Sequence, residues 1–323
     1  MGRVTLMRTP LPSLVAHRLT EAGVDAHACL ATFGLERALN EPHVTAEVDT
    51  LAAFYDDAAS RLNAPDLGLE LVASIDRGAY GLAEFGIRAA PTVREAMRRL
   101  ARFAVLLNEA TTVTLEESDE GLHVHQAIPG HPLAGGRHSN EYFMALLVVG
   151  GRAMTQGGLE ASEVWFCHPA PEHLERHRAT FGTATLRFDQ ADNGITLSRA
   201  TADRPLRSAD PALMHAIDAQ ADTLLEQRAE GSEFVATVRA SLGQALRGGS
   251  VTLADIARHL AMTPRTLQRR LADHDTSFRE VVDAVRRELH ARLSEQGISA
   301  QEIAFRLGYA DMGSFRRAQR RWN

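Results

Sequence analysis

The sequence predicts an α+β domain followed by an all-α domain in which two helix-turn-helix units are joined by a long helix. Three observations predict it. Near the C-terminus, Asp255-Ile256-Ala257-Arg258-His259-Leu260 returns 47 positions later as Glu302-Ile303-Ala304-Phe305-Arg306-Leu307, and a helix heavy in Arg follows each copy. Upstream, short alternating stretches lie among segments of helical periodicity. Charge is uneven: residues 248–323 hold 13 Arg against 9 acidic residues, a formal +4, while the remainder stands at −10 within a net −6. With 323 residues, 45% hydrophobic and 24% charged, the chain can build about two domains with full cores. It contains no Lys, so every basic contact is a guanidinium.

In chain order, residues 10–23 predict a helix burying Leu11, Leu14, Val15 and Leu19, and residues 49–62 another burying Leu51, Phe54, Tyr55, Ala58 and Leu62. Gly68, Gly78 and Gly81 follow in quick succession. Their spacing fits neither a phosphate loop nor a dinucleotide fingerprint, so they read as turns and close backbone contacts. Thr92-Val93-Arg94-Glu95 has capping-box spacing and opens a helix to about Leu107 with Val93, Ala96, Met97, Leu100, Ala101 and Ala104 inward. Its Arg94, Arg98, Arg99 and Arg102 read as a solvated basic face.

Residues 112–116 and 122–128 flank Ser118-Asp119-Glu120-Gly121 and predict a hairpin. Residues 164–167, 184–188 and 195–197 read as further strands, with helices at 140–154 and 171–181 between them. A β-barrel with added helices is the other architecture this order allows. Residues 210–228 and 233–246 predict two helices, the first with an apolar stripe of Leu213, Ile217, Leu224 and Leu225 that fits a dimer seam or the chain's own domain equally well. Gly248-Gly249-Ser250 then reads as a flexible linker. The implied boundaries are 1–207, 208–249 and 250–323.

In the last part, Thr252 to Asp255 and Ser299 to Glu302 both have capping-box spacing. Thr263-Pro264 supplies an N-cap and a first-turn Pro for one Arg-rich helix, and the other is expected to open at Asp311. Leu267 and Leu271 should pack on Ile256 and Leu260, leaving Arg265, Thr266, Gln268 and Arg269 outward. In the second unit Phe315, Ala318 and Trp322 share the buried face, with Met312, Gly313, Arg316, Arg317 and Arg320 on or near the other. Arg and Gln can make paired hydrogen bonds to guanine and adenine edges. Residues 278–295, with Val281, Val282, Val285, Leu289 and Leu293 inward, form a rod of roughly 27 Å at ~1.5 Å per residue. Such a rod suits two reading helices about one DNA turn, ~34 Å, apart.

Other classes find little support. Cys29 and Cys167 lie too far apart for a metal knuckle and read as reduced thiols. The longest apolar run, 142–150, falls short of the ~20 residues of a membrane helix, and the N-terminus lacks a secretory pattern. A cytoplasmic protein without membrane contact is expected. His123 and His125 project from one strand face, followed by His131 and His138, but no carboxylate or thiol stands at a ligand spacing. A wet strand face is the expected reading, with no metal or cofactor. The absence of a Gly-x-Ser-x-Gly elbow, a His-Glu-x-x-His pair and a phosphate loop leaves no catalytic residues to name, so no enzyme is expected. The residues alone leave open a ligand-binding or enzymatic protein whose helical end docks to protein, or a DNA-binding protein that needs no effector.

Read together, Leu253 to Leu260, Met262 to Leu271, Thr276-Ser277-Phe278, Val285 to Leu289, and Glu302 through Asp311 to Ala318 resemble the C-terminal domain of AraC/XylS-family transcription regulators. Upstream, Pro91 to Ala96, Val164 to Pro171, Phe181-Gly182, Arg204-Pro205-Leu206 and Asp210 to Leu213 resemble the arabinose-binding-type N-terminal domain of the branch that includes ornithine-utilisation regulators. The resemblance implies a bacterial, sequence-specific regulator of double-stranded promoter DNA, controlled by a small-molecule effector bound upstream. It allows pairing into a homodimer and contact with RNA polymerase, activation or repression, and effectors of several classes. Residue by residue, it places base readout on Arg265, Thr266, Gln268 and Arg269, and on Met312, Gly313, Ser314, Arg316 and Arg317. Two departures stand out: Gln319 occupies a position usually aromatic on the core face, and the sequence stops at Asn323 before the usual closing segment. Both lead to an expectation of weaker reading by the second unit.

Overall fold

An open five-stranded sheet organises the N-terminal part. The computed structural model describes residues 5–155, 158–246, 251–274, 276–309 and 311–322. Strand β1 (Leu6–Thr9) leads into α1 (Leu11–Glu21) and α2 (Ala26–Ala31), and β2 (Val44–Glu47) returns to pair antiparallel with β1. Then come α3 (Val48–Leu62), α4 (Leu67–Leu71), α5 (Gly81–Arg88) and α6 (Val93–Leu107), where Thr92 caps the helix through the Glu95 N–H at 3.3 Å. The predicted hairpin is β3 (Thr112–Glu117) and β4 (Gly121–Ala127), with Thr112 opposite Ala127. Helix α7 (Arg137–Met154), β5 (Ala161–Trp165), α8 (Glu175–Phe181), β6 (Thr185–Arg187), β7 (Asn193–Ser198) and α9 (Arg199–Ala202) complete it.

The strand order is β3-β4-β7-β5-β6, antiparallel except for β5 with β6. With β3 and β6 at its two edges the sheet is open, which removes the barrel alternative. Along β4, Leu122, Val124 and Gln126 are buried while His123 and His125 are half-buried, the period-two pattern of a strand with unlike faces. Leu122 and Val124 join side chains of α6 and α7 in one apolar core. Of the early glycines, Gly78 (φ 90°) and Gly81 (φ 60°) make turns, whereas Gly68 sits inside α4, where a Cβ would overlap the His138 carbonyl. The latter is a close contact, not a turn.

Residues 210–246 differ from the expectation of two helices: α10 runs unbroken over Pro211–Ala245. An interior Gly such as Gly231 costs only about 1 kcal/mol against Ala. Packing at both ends of the helix outweighs that. Ile217 and Ala221 are buried, Ile217 against Gly86 of α5, and Phe234, Val238, Leu242 and Leu246 belong to a core with Ile256, Leu267 and Leu271. The chain divides into two compact units between Asp222 and Thr223, inside this helix. The predicted linker 248–250 lies outside the described residues.

The second unit continues with α11 (Leu253–His259), α12 (Pro264–Ala272), α13 (Phe278–Glu295), α14 (Ala300–Arg306) and α15 (Met312–Trp322). The Thr252 capping box forms completely, and so does a second at Ser277 with Glu280, which has the same spacing. At Ser299 only half forms: the hydroxyl accepts from the Glu302 N–H at 3.3 Å, while Glu302 turns to Arg306 at 2.8 Å.

Candidate nucleic-acid interface and cavity

Two Arg-rich helices present polar faces because their other faces are fully used. On α12, Leu267 and Leu271 are fully buried and pack with Ile256 and Leu260, as their one-turn spacing requires. Arg265, Gln268 and Arg269 are consequently exposed. Thr266 is half-buried, with its hydroxyl 2.8 Å from that of Thr263, so it reinforces the cap before it can offer anything outward. Neighbouring Arg270 is spent on packing, its guanidinium lying 4.0 Å over the Phe234 ring.

On α15, Phe315, Ala318 and Trp322 form the buried face with Ile303, Ala304 and Leu307. Gly313, Arg316, Arg317 and Arg320 are exposed. Met312 is half-buried and packs against that core, so it is as much a wall as a reader. Asp311 caps the helix, accepting from the Ser314 N–H and hydroxyl at 2.8 Å each, and Arg317 donates to the Ser314 hydroxyl at 2.9 Å. Those hydrogen bonds hold the Asp311 carboxyl below its usual range. Arg265, Arg269, Arg316 and Arg320 have no carboxylate partner among the described residues. Gln319 fills the position usually aromatic with a hydrogen bond to His290 at 2.9 Å, and the His290 ring packs at 5.7 Å on Phe315 and 5.8 Å on Trp322. A polar pair on the rim of the core thereby replaces one ring.

Sequence reading missed a cavity of about 160 Å³ in the first unit. Helix α7 lines it with Tyr142, Leu146, Gly150 and Met154, an i, i+4 stripe flanked by Phe143 and Leu147. Helix α6 adds Met97, Leu100, Ala104 and Leu107, β1 adds Met7, β3 adds Val113, and Ile128 follows directly on β4. Arg8, Asp76, Glu84 and Arg88 are its charged lining groups. Glu84 is already engaged, accepting from the Gly78 and Tyr80 N–H groups at 3.0 and 3.2 Å and from Arg88 Nε at 2.7 Å. The Tyr80 and Tyr142 hydroxyls lie 3.1 Å apart, and burial pushes the Tyr142 phenol up to about 12 and that of Tyr80 well above its ordinary value. Both remain neutral donors.

The predicted solvated Arg face of α6 needs correction. Arg99 is buried, and its two terminal nitrogens donate to the two Asp218 oxygens at 2.7 Å each. Arg94 bridges Glu117 and Asp203, and Arg102 pairs with Asp222, so carboxylates of this chain occupy the stripe. His123 and His125 do share a strand face, where their partners are Thr196, Ser118 and Asp192; Trp165 packs on His125 at 5.2 Å and covers Gly194. Both cysteines are buried, and burial first, then the Asp57 hydrogen bond, pushes the Cys29 thiol up to about 11. Also unforeseen is a buried ionic knot in which Glu141 accepts from Arg137 Nε at 2.7 Å and lies 2.8 Å from His177 Nε2. Burial alone would raise the Glu141 carboxyl; the His177 hydrogen bond and Arg137 bring it below its usual range. No described helix is long and apolar enough to cross a membrane.

Comparison with known proteins gives two family matches. Residues 23–206 match the arabinose-binding domain of AraC transcription regulators, N-terminal, and residues 256–323 match a helix-turn-helix domain. The ornithine utilization regulator of Pseudomonas aeruginosa is 28% identical over 260 residues, covering 80% of this chain and 76% of that one. The HTH-type transcriptional regulator VirS of Mycobacterium tuberculosis is 28% identical over 317 residues, covering 94% and 90%. Among solved structures, the transcriptional regulator CdpR of Pseudomonas aeruginosa shares 25% identity at a TM-score of 0.44, covering 84% of this chain and 88% of that one.

Proposed function

The chain belongs to the AraC family of transcription regulators with an arabinose-binding-type N-terminal domain, and from this we propose that it reads promoter DNA through α12 and α15 under control of a small molecule held in the first unit. The observation that carries the reading is the pairing of two solvent-facing rows, Arg265, Gln268 and Arg269 on one helix and Arg316, Arg317 and Arg320 on the other, each backed by a closed apolar core. Such helices suit adjacent major-groove segments, with Arg and Gln on base edges and further Arg on phosphates. Thr266 and Ser314, tied into caps, would orient their neighbours; Met312 and Gly313 would approach the bases closely. Functionally, 1–207 would hold the effector, 208–249 would connect, and 250–323 would bind DNA.

Control would be two-state. A ligand that binds one arrangement of the first unit better than another shifts promoter occupancy by its differential affinity alone. Pairing of two chains and contact with RNA polymerase are compatible additions to this scheme.

The test is selection of bound sequences from random DNA with the full-length protein, followed by titration at fixed salt. A two-part motif with segments about one turn apart, ~34 Å, is expected. Arg269→Ala should cost ~1–3 kcal/mol and relax preference at a few base pairs. An equal loss on selected and scrambled DNA would show that Arg269 touches phosphate only, and the lack of any motif would overturn the reading.

A further inference from the structure

We infer that the cavity of the first unit takes a small, mostly hydrocarbon molecule of about six to ten non-hydrogen atoms with a single polar end, and excludes sugars and dibasic amino acids; the size follows from apolar cavities of roughly this volume accepting a benzene-sized guest. This rests on the effector reading given above and adds the chemical class of ligand.

Carbon makes most of the wall: Leu146, Leu147 and Met154 of α7 face Met97, Leu100 and Leu107 of α6. Its polar groups are largely satisfied within the protein. Asn108 donates to Thr111 and accepts from the Ala110 N–H, Gln126 accepts from Asn193 Nδ2 at 2.8 Å, Glu84 is triply engaged, and the two tyrosines bond each other. A polyol would bring several hydroxyls to a wall with few free partners, and every unpaired one retains its full desolvation penalty. An ornithine-like ligand would bring two ammonium groups, against which Asp76, on the exposed rim, is the one lining carboxylate without a cation partner among the described residues. The rim also carries the exposed Arg8, with no carboxylate partner among the described residues, so a carboxylate end can be met there while the hydrocarbon end fills the interior.

Gly150 points to the same conclusion. It falls between Leu146 and Met154 on the cavity stripe of α7, and a Cβ built on it meets nothing within 4 Å. A helix interior ordinarily favours Ala here. Glycine at this site keeps the apolar floor open.

Hexanoate and octanoate serve as probes, with L-arabinose and L-ornithine as polar comparators, titrated calorimetrically into the full-length protein. One site per chain is expected for the two acids, with a negative heat-capacity change, and no heat from the comparators. Gly150→Leu should weaken both acids at least tenfold. Gly150→Ala, the gentler change, should keep the fold and weaken octanoate more than hexanoate. Silence from both acids, saturable binding of arabinose or ornithine, or unchanged affinities in both Gly150 variants would overturn the assignment. Promoter affinity measured with and without octanoate separates the two claims: acid binding that leaves DNA affinity unmoved supports this ligand class and removes the effector role, whereas an ornithine-driven change in DNA affinity overturns the class and keeps the role.

Discussion

Replacing Arg99 with Met removes a buried cation while keeping most of the side chain's volume. The Arg99 side chain is 7% exposed and its partner Asp218 is 26% exposed, and two hydrogen bonds of 2.7 Å join them. Breaking a fully buried pair costs about 3–5 kcal/mol because one charge is left stranded. Asp218 keeps some access to water and has Arg102 Nη1 at 3.8 Å, so its carboxylate recovers part of that cost and the expected loss is about 2–3 kcal/mol. For a unit of this size each kcal/mol moves the melting temperature by about 2–4 °C, so Arg99→Met should melt roughly 4–12 °C lower. Arg102→Met is the control: with Asp222 it forms a surface pair whose side chains are 43% and 49% exposed, and such pairs contribute at most about 1 kcal/mol. The assay is thermal unfolding of the full-length chain at pH 7 and again in acid. The Arg99 hydrogen bond holds the Asp218 carboxyl below its usual range, so the wild-type advantage is present above the ordinary carboxylate pKa and is lost as pH falls through the lower folded value. An Arg99→Met loss no larger than that of Arg102→Met would refute the reasoning.

Two further outcomes can be checked. Burial holds the imidazoles of His138 and His168 below their ordinary value of 6.5, so the folded state favours their neutral forms; stability is full above that value and falls as pH drops below it. A melting temperature of the first unit that holds level between pH 7 and 5 would contradict this. Gln319→Phe exchanges one hydrogen bond to His290, ~0.5–1.5 kcal/mol, for an aromatic contact worth about the same. Chemical denaturation should show a net change within about 1 kcal/mol, and a loss above about 2 kcal/mol would show that the polar pair is required.

Legibility in the sequence followed the range of the forces involved. In the C-terminal part, Thr252, Thr263, Ser299 and Asp311 cap helices through partners three residues on, and Leu267 and Leu271 bury on a one-turn spacing, so local pattern was enough. Arg99 failed that test because its partner is 119 positions away, and no local pattern separates a solvated guanidinium from a clamped one. The four-residue strands β1 and β2 were too short to show a period. The cavity draws its wall from β1, α5, α6, the hairpin and α7; within single segments it shows as helical stripes, Met97, Leu100, Ala104 and Leu107 on α6, which reads as ordinary core, and Tyr142, Leu146, Gly150 and Met154 on α7. A glycine on that stripe was the available signal. The match over residues 23–206 identifies the domain type, while its ligand chemistry depends on those dispersed side chains.

Helix α13 has a consequence for how the second unit comes apart. Leu289 packs against both apolar clusters, the one built around Leu267 and the one built around Phe315. From the same helix Arg286 donates to the Leu307 carbonyl at 3.0 Å and lies 4.5 Å over the Tyr309 ring. Opening of α13 therefore strips a wall from both helix pairs at once. Amide hydrogens on α11, α12, α14 and α15 should exchange as one cooperative class, set by the opening of α13. A protease that finds α13 open should find both pairs loosened.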